Sequence, residues 1–159
     1  MSKILKSNKG TPIIVDDGVF NLLNKFIWRV NKDGYAYRNT WLGKKRNYII
    51  LHRLLINAKK GDIVDHINMD KLDNSLKNLR ICTIKESNQH RNRVKGKFLS
   101  KLRGVTFQKT TSRYRANIKH DNKRFHLGYF DKEIDAAKAY DKKAKKLFGD
   151  FAVLNFNNN

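Results

Sequence analysis

The sequence predicts an α+β protein in two parts. The first is a β-rich platform ending in a ββα unit, and the second is a three-stranded antiparallel sheet packed on one helix. Three observations predict it. Strand-like runs joined by turn signals fill positions 11–56. Residues 61–93 run strand, loop, strand, helix. Residues 101–156 run through three strands and end in a helix with an apolar stripe. Between the two parts RNRVKGKFLSKL (91–102) is basic and almost free of acid, which divides the chain into 1–93, a linker at 94–100, and 101–156. Such a linker either follows a phosphate backbone or is simply solvated.

Residues 11–15 read as a strand, and Asp16-Asp17-Gly18 as a turn or helix start. Val19, Leu22, Leu23 and Phe26 recur at helical spacing and predict one buried helix face. Strands at 28–30 and 35–41 flank Asn31-Lys32-Asp33-Gly34, a hairpin signal. The basic turn Lys44-Lys45-Arg46 leads to a strand at 48–51, and a helix starts at His52. His52 sits among apolar residues and reads as structural. In the second part, strands are expected at 103–109, 113–119 and 124–130. The middle one alternates Tyr114, Ala116 and Ile118 with Arg113, Arg115, Asn117 and Lys119, so one face is apolar and the other cationic. Asp131 is the expected N-cap of the last helix, Ile134, Ala137, Tyr140, Ala144 and Leu147 its buried stripe, and Gly149 its end.

Composition narrows the classes of function. The chain has 159 residues, 35 Lys and Arg against 14 Asp and Glu, and a formal net charge of +21. That excess calls for a polyanionic partner, either nucleic acid or an acidic membrane surface. No apolar run approaches the ~20 residues of a membrane-spanning helix. No basic amphipathic helix carries bulky apolar residues on its opposite face, which disfavours a membrane surface. MSKILKSNKG lacks the apolar core of a secretory signal, so the expected location is the cytoplasm. The single Cys82 excludes an internal disulfide and a four-cysteine zinc site.

The stretch VDHINMDKLDNSLKNLRICTIKESNQHRNR (64–93) carries the chemistry. A carboxylate, an imidazole and several amides stand at its strand and loop junctions. These are the parts needed to hold one hard divalent cation and to place one general base. Taken singly, each has a plainer reading: Asp-His as a turn, and the Asn and Asp of the loop as local side-chain-to-backbone turns.

Taken together, Asp65-His66, then Asn78-Leu79-Arg80, then a polar helix resemble the HNH nucleases, in particular the homing endonucleases of phages and introns. Leu51-His52-Arg53-Leu54 and the segment from Ile13 to Trp28 extend the likeness over roughly the first 95 residues. The resemblance implies a metal-dependent DNA endonuclease. Asp65 would hold the metal, His66 would be the general base, and Asn78 would orient His66. The helix would supply a second ligand. Here the family position falls on Ser87, one residue before Asn88. Asn88 is the expected ligand, with Ser87 and His90 as alternatives. The implied cofactor is one divalent ion, Mg²⁺ or else Mn²⁺. One site per chain implies a monomer that nicks, needs no obligate protein partner, and works in the host cytoplasm if phage-encoded.

Arg103-Gly104-Val105, Leu127-Gly128-Tyr129-Phe130, 136–141 (AAKAYD) and Val153-Leu154-Asn155-Phe156 are similar to the APETALA2/ethylene-response-factor DNA-binding domain. That likeness implies double-stranded DNA as partner, met by the cationic sheet face. Arg103, Arg115, Lys119 and Arg124 are its candidate contacts. Thr106, Gln108 and His126 depart from the plant pattern, so the plant target sequence does not carry over. The competing class is a non-catalytic DNA-binding regulator on a degenerate HNH scaffold.

Overall fold

A computed structural model describes residues 1–90 and 100–156. Residues 94–99 of the expected linker lie outside the described residues. The chain divides into two compact units, Met1–Ile84 and Lys85–Asn159. Among the described residues no helix is long and apolar enough to cross a membrane.

The first unit begins with β1 (Ser2–Lys6) and β2 (Pro12–Asp16), an antiparallel pair that aligns Leu5 with Ile13. α1 (Asp17–Leu23) follows directly. A second sheet contains β3 (Arg29–Val30), β4 (Ala36–Leu42) and β5 (Lys45–Ile50) in that order, all antiparallel. Its first turn is built by Asn31, whose Oδ1 accepts the Asp33 and Tyr35 N–H groups. α2 (Leu51–Leu55) leads to a third sheet, the antiparallel pair β6 (Ile63–His66) and β7 (Leu79–Cys82). The core is Leu5, Ile13, Val15, Leu23, Trp28, Ala36 and Leu51. Trp28 is buried with its indole N–H donating to the Leu23 carbonyl at 2.9 Å, so the polar end of the largest core side chain is satisfied.

The SKILK segment that forms β1 carries no strand expectation from its pattern, and one expectation for this unit is corrected. The buried face of α1 is different: the helix stops at Leu23, Leu22 and Phe26 are exposed, and Phe20 packs with Val19 and Leu23.

In the second unit α3 (Ile84–Gln89) is short and spans the division between units. β8 (Val105–Gln108), β9 (Arg113–His120) and β10 (Lys123–Phe130) form the expected antiparallel sheet in the order β10-β9-β8. α4 (Glu133–Phe148) packs on it through Ala136, Ala137, Tyr140 and Ala144. Three alanines among four buried helix residues let the helix come close to the sheet. Gly104 shows how close: a Cβ there would meet the Tyr140 ring at 1.9 Å, and its φ of +75° already suits glycine alone. Ile134 is exposed and Ala136 takes its place in the buried stripe. Asp131 does not cap α4. The cap position is Lys132, without a side-chain bond, while Asp131 Oδ1 accepts from Arg113 Nε at 2.8 Å. An arginine on the neighbouring strand thus competes with the helix N–H groups for the carboxylate.

The geometry at Gly104 sets an expectation. Gly104→Ala should cost the second unit about 2–4 kcal/mol, the range of an overpacked core made worse by left-handed strain. Hydrogen exchange of the β8–β10 amides should accelerate. Both tryptophans lie in the first unit, so the unfolding transition seen by their fluorescence should stay in place. Unchanged exchange in β8–β10 would contradict the packing.

Candidate functional site

Asp65 and His66 end β6, where strand pairing holds them opposite Arg80 and Leu79. Arg80 grips the same carboxylate oxygen twice, Nε at 2.9 Å and a terminal nitrogen at 2.8 Å from Asp65 Oδ2. Both side chains are largely buried. This charge-assisted contact fixes the Asp65 rotamer.

His66 is buried, as is His52 from α2. Their rings meet edge-on, with centroids 5.1 Å apart. Tyr35 stands against both, 5.0 Å from His52 and 6.0 Å from His66. Lys71 Nζ lies 4.6 Å from the Tyr35 ring centre. Burial pushes the His52 imidazole down to about 4, helped by the charges of His66 and Arg53. Burial also lowers His66, opposed by the nearby Asn74 amide and by the charges of Asp65, Asp70 and Asp73. Both rings are held toward the neutral form. A neutral imidazole retains a lone pair and can accept a proton.

The loop between β6 and β7 is a chain of local turns. Asn68 Oδ1 accepts the Asp70 N–H, Asp70 Oδ1 the Leu72 N–H, and Asp73 Oδ1 the Ser75 N–H. The plainer reading of these residues therefore holds for the loop itself. Asn78 closes it. Its Oδ1 accepts the Asn68 N–H at 2.9 Å and its Nδ2 donates to the Asp73 carbonyl at 2.7 Å. Both ends of the Asn78 amide are thus engaged with the loop. Asn74 is buried in the loop, and its Oδ1 lacks a partner within hydrogen-bond geometry, as does His66 Nε2. His52, Tyr35 and Asn74 are the neighbours of His66 that sequence reasoning did not assign. Only packing reveals them, because they come from three separate segments.

Asn88 lies exposed on α3 and is described with the second unit rather than with Asp65. Among the described residues no cluster of three or more His, Cys, Asp or Glu forms a ready-made cation site. The donor set still fits a hard ion of the kind that arrives with its substrate. Mg²⁺ commonly uses one or two carboxylates and takes its other oxygens from phosphate and water, and Asp65 supplies one carboxylate.

On the sheet of the second unit, strand register puts Arg115, Lys119 and Arg124 on one face. Lys119 pairs with Arg124, and Arg115 with both Thr106 and Tyr129. Asn117 and His126 pair on the same face, where the His126 ring lies 4.9 Å from that of Tyr129. Arg103 is placed differently. It precedes β8, and its backbone is clamped by Asn155, whose side chain binds both its N–H and its carbonyl.

Comparison with known proteins finds two family matches in the chain. Residues 50–89 match the HNH endonuclease family and residues 100–150 match the AP2 domain. An uncharacterised HNH endonuclease of Acanthamoeba polyphaga mimivirus is 29% identical over 154 residues, covering 96% of this chain and 79% of that protein. APETALA2-like protein 2 of Oryza sativa is 45% identical over 58 residues, 36% of this chain and 13% of that protein. An AP2-like ethylene-responsive transcription factor of Arabidopsis thaliana is 44% identical over 57 residues, 36% of this chain and 12% of that one. The chain therefore spans only about an eighth of the plant relatives, through their AP2 part. The chain thus carries a segment similar to HNH endonucleases and, after it in sequence, one similar to the AP2 domain.

The neutral His52 makes stability depend on pH. Its folded value of about 4 lies below the ordinary 6.5. Between these values the unfolded chain takes up a proton that the folded chain refuses. The stabilisation is complete above the ordinary value and is lost as pH falls toward the folded one. Wild type should therefore lose more stability than His52→Phe between neutral pH and the folded value, by on the order of 3 kcal/mol. Denaturant unfolding across that range measures it. Parallel curves for the two proteins would show that His52 is not buried neutral.

Proposed function

We propose that the protein is a DNA endonuclease of the homing type, which hydrolyses a phosphodiester at sites chosen by its AP2 domain. The observation that carries this reading is the Asp65-His66 pair. It ends a strand inside the segment that matches the HNH family, with its imidazole buried beside the carboxylate-bearing residue. Asp65, with Asn88 as the expected second ligand, would hold a divalent ion, Mg²⁺ in our reading. Such an ion, when bound, stabilises negative charge on the phosphate and the leaving oxygen. His66 takes the proton of the attacking water. Asn78 acts at one remove, by closing the loop that carries the other amides. Residues 1–93 cut, and residues 101–156 provide the address. Arg115, Lys119 and Arg124 meet the duplex with the sheet face, and a major groove is wide enough to admit strands. One site per chain suits a monomer that nicks a single strand.

The second reading is a DNA-binding regulator that no longer cuts. The double grip of Arg80 on Asp65 favours it, because that oxygen is already engaged. Supercoiled plasmid decides between them. The nuclease reading expects nicking with Mg²⁺ that stops with EDTA. His66→Ala should then lose ~10²–10⁴-fold in rate while its affinity for DNA is unchanged. Cutting by His66→Ala at the wild-type rate would sink the base assignment, and binding without nicking by wild type would favour the regulator.

Binding should weaken steeply with salt, because the cationic face displaces counterions from DNA. The slope of log K against log salt is about −0.9 for each phosphate neutralised. Replacing Arg115 and Arg124 by alanine should lower affinity. If they read base edges, sequence preference falls as well, by about 1–3 kcal/mol for each bidentate contact. A site selection on wild type and double variant measures this. Identical selected sites would move the address elsewhere in the chain.

A further inference from the structure

We propose that Asn74 is the positioning residue for His66. Its carboxamide oxygen accepts a hydrogen bond from the His66 Nε2–H, fixes that tautomer, and leaves Nδ1 as the nitrogen whose lone pair receives a proton. The proposal rests on the reading of His66 as general base.

Asn74 is 0% exposed and His66 4%. Asn74 Oδ1 and His66 Nε2 are both buried without a partner in hydrogen-bond geometry. Leaving a buried donor or acceptor unmatched costs about 1–3 kcal/mol for each atom, so two such atoms on neighbouring side chains have strong reason to meet. Their chemistry is complementary, since a neutral imidazole carries one N–H and an amide oxygen only accepts. The Asn74 amide stands beside the ring and opposes the effect of burial on it. Its orientation is set from the other end, where Nδ2 points to the Lys71 carbonyl at 3.4 Å and leaves Oδ1 as the opposite arm.

The fold holds both partners still. The Asn74 N–H donates to the Ile14 carbonyl at 2.8 Å, and the Ile14 N–H to the Leu72 carbonyl at 2.8 Å, so the loop is fastened to β2. The His66 backbone is held by strand pairing, and its buried ring stands against the His52 and Tyr35 rings. A ring walled in this way cannot turn over freely, and a single amide oxygen suffices to choose its tautomer. The other amide suited by sequence, Asn78, has its Oδ1 and Nδ2 engaged by Asn68 and Asp73.

The test reads the tautomer directly in the full-length chain. Long-range proton–nitrogen correlation spectra near neutral pH distinguish the two neutral forms, and His66→Gln assigns the signal. Wild type should show His66 protonated at Nε2. Asn74→Leu, similar in volume but without an acceptor, should show a mixture. Asn74→Asp, which keeps an oxygen in place, should restore the Nε2–H form. In plasmid nicking, Asn74→Leu should lower kcat ~10–100-fold, the usual effect of removing a partner that orients a functional histidine, with KM for DNA unchanged. Asn74→Asp should recover part of that loss.

An Nδ1–H form in wild type would overturn the proposal. An unchanged Nε2–H signal in folded Asn74→Leu would do the same. If Asn74→Leu does not fold, the wild-type and Asn74→Asp spectra still decide. The two readings fail separately. A protein that never nicks but shows the expected tautomers keeps the Asn74 contact and loses the nuclease. One that nicks with His66 protonated at Nδ1 keeps the nuclease and loses the contact.

Discussion

One strand, β2, carries the loop on which the first unit's site depends. Ile14 bonds to the loop twice, through its N–H to Leu72 and its carbonyl to Asn74, and Asp16 Oδ2 accepts the Leu76 N–H at 2.7 Å. The flanking residues Ile13 and Val15 point into the core and are completely buried. A strand has two faces and two edges. β2 uses one face for the core, one edge for β1, and its remaining backbone groups for the loop. The site is therefore registered to the hydrophobic core through backbone bonds, which are stiffer than side-chain contacts. Breaking the β1–β2 pair would loosen the loop without touching any residue of the site.

The second unit solves a similar problem with side chains. Asp141 on α4 accepts from the Asn155 backbone, the Asn155 amide and the Phe156 backbone, and Asn155 in turn clamps Arg103. Helix, C-terminal segment and the lead into β8 are joined by one carboxylate and one amide. Phe156, Leu154 and Ala152 then pack against the two apolar clusters beneath the helix. The opposite sheet face plays no part in this and keeps its polar and cationic side chains.

Much of this was legible in the residue pattern, and the failures have physical causes. Alternation in β9 and the Asn31–Gly34 turn are local signals, and local signals survive folding. β1 was missed because SKILK has too few residues for a period of two to stand out, and its partner, not its own pattern, makes it a strand. Asp131 has the residue type of a cap, but Arg113 reaches it first, a competition set by tertiary neighbours. At the site, Asp65 and His66 are adjacent in sequence and stayed together. His52, Tyr35 and Asn74 come from three segments, and no spacing rule could predict that they converge on one ring. Asn74 and Asn78 look alike in sequence. Only the path of the loop turns one toward the imidazole and the other back onto its own backbone.

The hairpin of β4 and β5 has a consequence for handling the molecule. Trp41, Leu42 and Tyr48 are largely exposed, on a strand pair that turns tightly at Gly43. Exposed β-structure with bulky apolar side chains is the surface on which proteins self-associate. Lys44, Lys45 and Arg46 stand beside these residues, and like charges on two copies repel when the hairpins approach. Colloidal stability and attraction to polyanions thus share one cause, the net charge of +21. Salt that screens the charge to release nucleic acid also removes the barrier between copies, so purification steps that clean the protein are those that promote its association.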